Sequence, residues 1–600
     1  MRTYILALTK YGIVAVMIAY TVLAFYLLFQ KEAQRIRLLT LVENILILVF
    51  QFISYFTLYV ALGESRYLLF AGLVMGAFFA IFLLYRTLYR HANMPLFNNM
   101  CLLLSVGLVI QSRLSFDNAV HQMMIASMGL VIAFVLPLLR GQLKFLKSTG
   151  LICGFVGIAI LAVVMLLGAT TLGANITYTI AGVTFQPSEF VKILFILFLA
   201  GTLKDVKDLK DLIIVTAFAA AHVLVLVGSK DLGSGLIFFV VFLFMAFIAT
   251  GKWWILAAGF GAGGAGATVC YFLFSHIRER VQAFVDPWSL IDSIGYQITQ
   301  SLFAIGAGGL FGVGLGQGTP SDVPFVESDF VFAAVCEELG QLVGVCVILV
   351  GISCFMVMLE LAAGFADRFY RLMAYGAAIC YVFQMFLTLG GQTKFIPLTG
   401  VTLPFISYGG SSILSTLIIF TLVEVMCILR GEKLEELQRK RAREARSRER
   451  MDRLEDRRRY GRGESYSSGS SRRAGGRIGS AEQVRHIENR TRQALPMRST
   501  EGRSGAAERS RYADDRMPAA RRSREDSYSN YRDYRRTESA GGDRGRRTAY
   551  SSGTRNESYS RGAQNRYTGR SELRYAAGEN TRTGSRNMIR ISDDEGFYDD

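Results

Sequence analysis

Residues 11–29 read YGIVAVMIAYTVLAFYLLF, nineteen residues without one charged side chain. Wound as a helix at 1.5 Å per residue, such a run covers about 28 Å, close to the hydrocarbon thickness of a bilayer. No small-residue cleavage site follows before the next charges, so the run predicts a retained span rather than a removable signal peptide. The same reading carried outward predicts thirteen spans, at 11–29, 38–61, 67–86, 98–113, 118–139, 148–168, 186–203, 211–228, 232–250, 253–274, 331–358, 371–391 and 406–430.

Charge divides the 600 residues in two. Residues 431–600 carry 41 Lys and Arg against 28 Asp and Glu, whereas residues 1–430 carry only 24 against 20. A front part this long with so few charges excludes a soluble enzyme and predicts an all-α polytopic membrane protein with a basic tail. The eight cysteines all lie in apolar segments and none forms a C-x-x-C pair, which points to buried thiols rather than a metal site or disulfide framework.

Basic residues gather in alternate connections: Lys31, Arg35 and Arg37; Arg86, Arg90 and His91; Arg140, Lys144 and Lys147; Lys204, Lys207 and Lys210; Lys252; Arg368 and Arg371; then the tail. With thirteen spans these fall on one side, which the positive-inside rule assigns to the cytoplasm, leaving the N-terminus outside. From Gly431 to about Arg459 mixed charges predict a solvated helix leaving the membrane. Beyond Tyr460 the Arg, Ser, Gly and Tyr composition cannot bury enough surface to offset ordering and predicts disorder. Interleaved Arg and Tyr could bind RNA, but a tether drawn to anionic membrane lipids and acidic partners is the favoured reading.

Four polar islands carry the chemistry. In FQPSEFVK (185–192), Ser188 and Glu189 suit a helix N-terminus, and Lys192 can pair with Glu189 one turn on. An unpaired ammonium there would be costly inside a membrane. In GSKDLGSG (228–235), Lys230 and Asp231 fit either a polar turn or a charge pair lining a cavity. The third island is the one long outward loop, about 275–330. It holds Arg278 and Arg280 against the positive-inside trend, the amphipathic GYQITQS with Gln300, a Gly-rich run, and Asp329 at the start of the next span. A carboxylate among Phe325, Phe330 and Phe332 suits a general base, or else a helix-dipole partner. Glu337 and Glu338, deeper in, read as structural pairing. The fourth, PLTGVTLPFISYGGSS (397–412), has the prolines and glycines of a broken or re-entrant approach to the last span.

These islands, in this order and on these spans, resemble the SEDS family (FtsW, RodA, SpoVE) of peptidoglycan glycosyltransferases over about residues 98–430. The resemblance implies a ten-helix core preceded by about three extra helices (1–97) and followed by the added tail (431–600). It implies a place in the bacterial cytoplasmic membrane and lipid II, a disaccharide-pentapeptide on undecaprenyl diphosphate, as substrate. Asp329 falls on the family's catalytic aspartate. Arg278, Arg280 and Lys192, with a divalent cation such as magnesium or manganese as a further candidate, would offset diphosphate charge. Glu189, Lys230, Asp231 and Gln300 would line the substrate cavity. The implied partners are a class B penicillin-binding protein and the division or elongation machinery. A lipid II flippase and a non-catalytic transpeptidase scaffold are the alternatives. The chain departs from the family pattern where Ile176 and Thr177 stand in place of an Arg-Trp pair, and where Lys394 occupies a position that is often small.

Overall fold

Apolar segments of this length satisfy their backbone only by coiling on themselves, and the computed structural model is built from such helices. It describes residues 1–463, apart from 168, 172, 173, 181 and 182. The expectation of disorder after Tyr460 therefore falls, from residue 464 on, outside the described residues. In chain order the helices are α1 (Arg2–Leu28), α2 (Ala33–Leu62), α3 (Arg66–Leu88), α4 (Met94–Leu114), α5 (Phe116–Val135), α6 (Leu143–Leu146), α7 (Gly150–Leu167), α8 (Pro187–Leu203), α9 (Leu209–Gly228), α10 (Leu232–Thr250) and α11 (Trp253–Leu273). They continue as α12 (Ser275–Val285), α13 (Tyr296–Gly308), α14 (Val331–Leu339), α15 (Gln341–Ala363), α16 (Arg368–Gln392) and α17 (Gly410–Gly463).

Twelve of these are long and apolar enough to cross a membrane. The seventeen residues of α8 rise about 25 Å, the short end of the range for a span. Counting α8, the described residues contain thirteen candidate crossings, at the places the hydropathy predicts. Three details differ from the sequence reading. A small antiparallel sheet of β1 (Ala169–Thr171), β2 (Ala174–Ile180) and β3 (Val183–Phe185) stands between α7 and α8. The segment 331–358, expected as one span, is broken at Gly340, whose φ of 97° only glycine adopts without strain. Wholly buried α14 therefore ends after nine residues and only α15 crosses. Finally, Cys270 is half-buried, whereas the other seven cysteines are buried as expected; all eight are free.

The break at Gly340 is held by the Gly-rich run. Val313 and Gly314 N–H donate to the carbonyls of Glu337 and Glu338 (2.8 and 3.0 Å), and Gln341 N–H donates to Gly309 O (2.9 Å). The acids of α14 are paired structurally, as expected. Glu338 binds Arg113 of α4 at 2.7 Å and accepts from Gly316 N–H, while Glu337 accepts from Thr319 N–H at 2.7 Å.

Helices α1–α3 form one body with the rest of the bundle. α1 packs on α2 and α15, and α2 packs on α3 and α4. Polar groups are joined across that seam: Tyr20 donates to Asn99 Oδ1 (3.0 Å) and Gln51 to Ser105 (2.7 Å), with Asn99 in turn donating to Ser353 of α15 (3.1 Å). In a bilayer, where apolar contact alone gives helices little preference for each other, such bonds fix the docking.

Candidate active site

The long loop between α11 and α14 folds over one end of the bundle and encloses a cavity of about 330 Å³. Its polar walls are His276, Glu279 and Arg280 from α12, Gln297 from α13, Asp329, and Lys394 from the turn after α16. Residues 276, 279, 280 and 283 all line it, which is one face of a helix. Arg278 lies two residues from Arg280 and so about 200° away around the helix axis; it is exposed and outside the cavity wall.

Asp329 sits in a turn immediately before α14. Phe325, at φ 57°, presents a carbonyl that accepts N–H groups from Ser328, Asp329 and Phe330 at 3.2, 3.0 and 3.2 Å. The fourth island latches this turn from outside. Ser407 donates to Ser328 O at 2.5 Å, and Tyr408 N–H donates to Glu327 O at 2.7 Å. Gln111 of α4 also donates to Glu327 O (2.8 Å), and Gln392 Oε1 accepts from the N–H of Phe332, the second residue of α14. The prolines and glycines of 397–412 thus position a loop rather than merely breaking a helix.

Gly400 lies close to both Arg280 and Asp329. A Cβ there would lie 3.4 Å from Arg280 Nη2 and 3.7 Å from Asp329 Oδ2, and the residue has φ 71°. Burial raises the Asp329 carboxyl above the ordinary aspartate range, while the Ser328 hydroxyl and the Arg280 charge pull it back. His276 is held below its usual value by burial and then by Arg280 and Lys230. Lys230, exposed at the turn between α9 and α10, is therefore near enough to act on this rim, although it does not line the cavity.

The other sequence candidates meet elsewhere. Lys192 is 2 % exposed and Glu189 5 %, and the two pair at 2.7 Å. Lys192 also donates to Gln384 Oε1 (2.8 Å), and Ser415 donates to Glu189 Oε2 (2.7 Å). Gln384 turns its amide to Thr402 O (3.1 Å). Asp231 caps α10 through Ser234 N–H (3.1 Å) and accepts from Ser188 at 3.0 Å. Islands one, two and four thereby close on each other inside the bundle, with Glu189, Lys192 and Asp231 each partnered. Gln300 is half-buried on α13 and outside the cavity wall; Gln297, one turn earlier, is in it. His276, Glu279, Gln297 and Gly400 were not singled out from the sequence. The i, i+3, i+4 spacing of 276, 279 and 280, which ends on Arg280, was the signal for the first two. Among the described residues no group of three or more His, Cys, Asp or Glu side chains is placed to hold a metal ion.

Comparison with known proteins gives this multi-pass bundle a family. The FtsW/RodA/SpoVE family model, described as "Cell cycle protein", matches residues 91–430, and the chain belongs to that family. The protein named peptidoglycan glycosyltransferase RodA of Mycobacterium bovis is 37 % identical over 353 residues, 54 % of this chain and 75 % of the relative. Its namesake in Mycobacterium leprae is 36 % identical over 381 residues, 59 % and 81 % of the two chains. A probable peptidoglycan glycosyltransferase FtsW of Geobacter is 33 % identical over 280 residues, 44 % and 74 %. A solved structure described as "Structural coordination of polymerization and crosslinking by a peptidoglycan synthase complex" superposes with TM-score 0.50 at 25 % identity, covering 56 % of this chain and 97 % of that one. The matched stretch holds ten of the thirteen crossings, so α1–α3 precede it.

Proposed function

We propose that the chain is a peptidoglycan glycosyltransferase that polymerises lipid II, with Asp329 as general base. The observation that carries the assignment is Asp329 held by a fixed turn in a polar cavity, with Arg280 and Lys394 in the same wall. Asp329 takes the proton of the acceptor sugar's 4-hydroxyl, and that oxygen attacks the anomeric carbon of the donor. Undecaprenyl diphosphate then leaves, and the charge gathering on it is offset by Arg280 and Lys394, cations pre-positioned where that charge develops. Lys394 supplies a positive charge in the cavity of a chain that lacks the Arg-Trp pair.

Thirteen crossings put the cavity, at the C-terminal ends of α11 and α16, on the face opposite the basic connections. That face is the outer one if the positive-inside rule sets the orientation. The chemistry is then where a strand destined for the wall must be made. A class B penicillin-binding protein transpeptidase of the division or elongation machinery is the partner we assign. The test is product from labelled lipid II by the purified chain with its cognate transpeptidase bound. Glycan strands are expected, and their absence with the partner bound overturns the reading.

Two further results are expected. A base must be ionised to act, so kcat/KM falls as pH drops through the Asp329 pKa, at a pH above that of an ordinary aspartate. Removing the Arg280 charge in Arg280→Gln withdraws a stabiliser of the anion and moves this acid limb to higher pH. A pH–rate profile of the two proteins checks the sign, and an unmoved or lowered limb refutes it. Second, Gly400→Ala forces an L side chain to φ 71°, a strain of roughly 1–2 kcal/mol. Because that loop bears on Asp329 and Arg280, a fall in kcat of up to about tenfold is expected with little change in Tm.

A further inference from the structure

A second and larger cavity, of about 890 Å³, lies at the other end of the bundle, where α1–α3 meet the start of α4. It is independent of the candidate active site: it opens among the basic connections, beside the C-terminal ends of α1 and α3. Arg37, Arg86, Arg90 and His91 line it, against Glu360 as the facing carboxylate. His91 is already engaged with Glu435 of α17 at 3.1 Å. Arg86 spends one nitrogen on Arg37 O (2.9 Å) and Thr40 Oγ1 (2.6 Å). Its other terminal nitrogen is buried with no hydrogen-bond partner. A buried guanidinium nitrogen with an unmet donor, in a cavity that Arg37, Arg90 and His91 also line, is satisfied when an anion with several acceptor oxygens lies beside it.

The wall also has an apolar side. Leu38 and Leu41 line the cavity yet are 58 % and 45 % exposed, so the space is open toward the hydrocarbon at the level where helix ends meet headgroups. Charge on one side and open apolar surface on the other fit a molecule that is itself both. We infer that this cavity binds the phosphate headgroup of an anionic glycerophospholipid of the leaflet on the basic side, with its acyl chains along Leu38 and Leu41. A free phosphate shares the headgroup chemistry but has nothing to place on the apolar wall. Basic pockets between helices at the cytoplasmic side commonly hold such headgroups. Bound there, the lipid bridges α2, α3 and the start of α4, and so ties the added helices to the matched ten-helix part.

The test uses the full chain purified in detergent, with phosphatidylglycerol or phosphatidylcholine added, and reads lipid adducts by native mass spectrometry and the Tm. Wild type is expected to retain phosphatidylglycerol over phosphatidylcholine by at least about tenfold, the affinity equivalent of one charge-assisted contact. Arg37→Gln/Arg90→Gln, which removes only exposed side chains, is expected to lose that preference while remaining folded, and Arg86→Gln to do the same. Inorganic phosphate at equal concentration is expected to leave the Tm unchanged. Equal retention of the two lipids by wild type, or a preference undiminished in both variants, overturns the proposal. Stabilisation by inorganic phosphate equal to that by phosphatidylglycerol overturns the lipid as its source.

Discussion

Asp329→Asn is expected to lower the rate of glycan polymerisation by about a hundredfold to ten-thousandfold, the contribution of a positioned general base. The substitution keeps the shape of the side chain and removes only its ability to take up a proton. The turn that presents residue 329 is closed by backbone groups, three N–H donors on the Phe325 carbonyl, and latched by Ser407, Tyr408 and Gln111. None of these bonds uses the carboxylate, so Tm should hold and lipid II should still bind. A variant that polymerises at the wild-type rate would remove Asp329 from the chemistry. One that loses activity only in step with Tm would make the residue structural. Reduced turnover at unchanged stability, with the acid limb of the pH profile abolished, is the pattern a general base requires.

The second large effect is on stability. Lys192→Met leaves Glu189 buried and charged with a single hydroxyl, Ser415, beside it. Breaking a buried pair by removing one partner costs about 3–5 kcal/mol, because the remaining ion has neither water nor a counter-charge. The cost should appear as a marked drop in the Tm of the detergent-purified protein. Glu189→Gln/Lys192→Met removes both charges and should recover much of it. The same pair also separates two roles. If the network only locks α8 to α16 and α17, activity in the double variant should track its recovered stability. If Lys192 and Glu189 contact substrate, as the family resemblance implies, activity should stay lost after Tm has returned.

The spans were legible because a bilayer imposes one length and one composition on whatever crosses it, so thirteen segments announce themselves without reference to each other. The break at Gly340 was not, since a backbone angle leaves no mark on composition and the two acids before it, Glu337 and Glu338, fit the interior of a helix as well as its end. The small sheet at 169–185 had only a faint signal in the alternation of NITYTI. Asp329 could be proposed from its aromatic neighbours, but its latch by Ser407 and Tyr408 joins positions nearly eighty residues apart. Arg280 could have been separated from Arg278 by helical period alone. Lys394 and Gly400 could not, because their place beside Arg280 depends on how α16 and the last re-entrant loop fold over the same end. The charges of islands one and two show the general difficulty: a sequence shows that Lys192 and Asp231 are there, but not whether they are spent on each other's neighbours or left for a ligand.

Helix α17 does not stop where the membrane does. It runs for 54 residues without interruption from Gly410 to Gly463, and its charged stretch is laced by i, i+4 pairs such as Arg439–Glu435 and Arg453–Glu449. Near the bilayer its base is braced by Arg140 on Glu432 and His91 on Glu435. From Arg430 to Gly463 the axis advances about 50 Å. The last crossing helix thus becomes a mast, whose far end at Gly463 stands several Debye lengths of about 8–10 Å beyond Arg430.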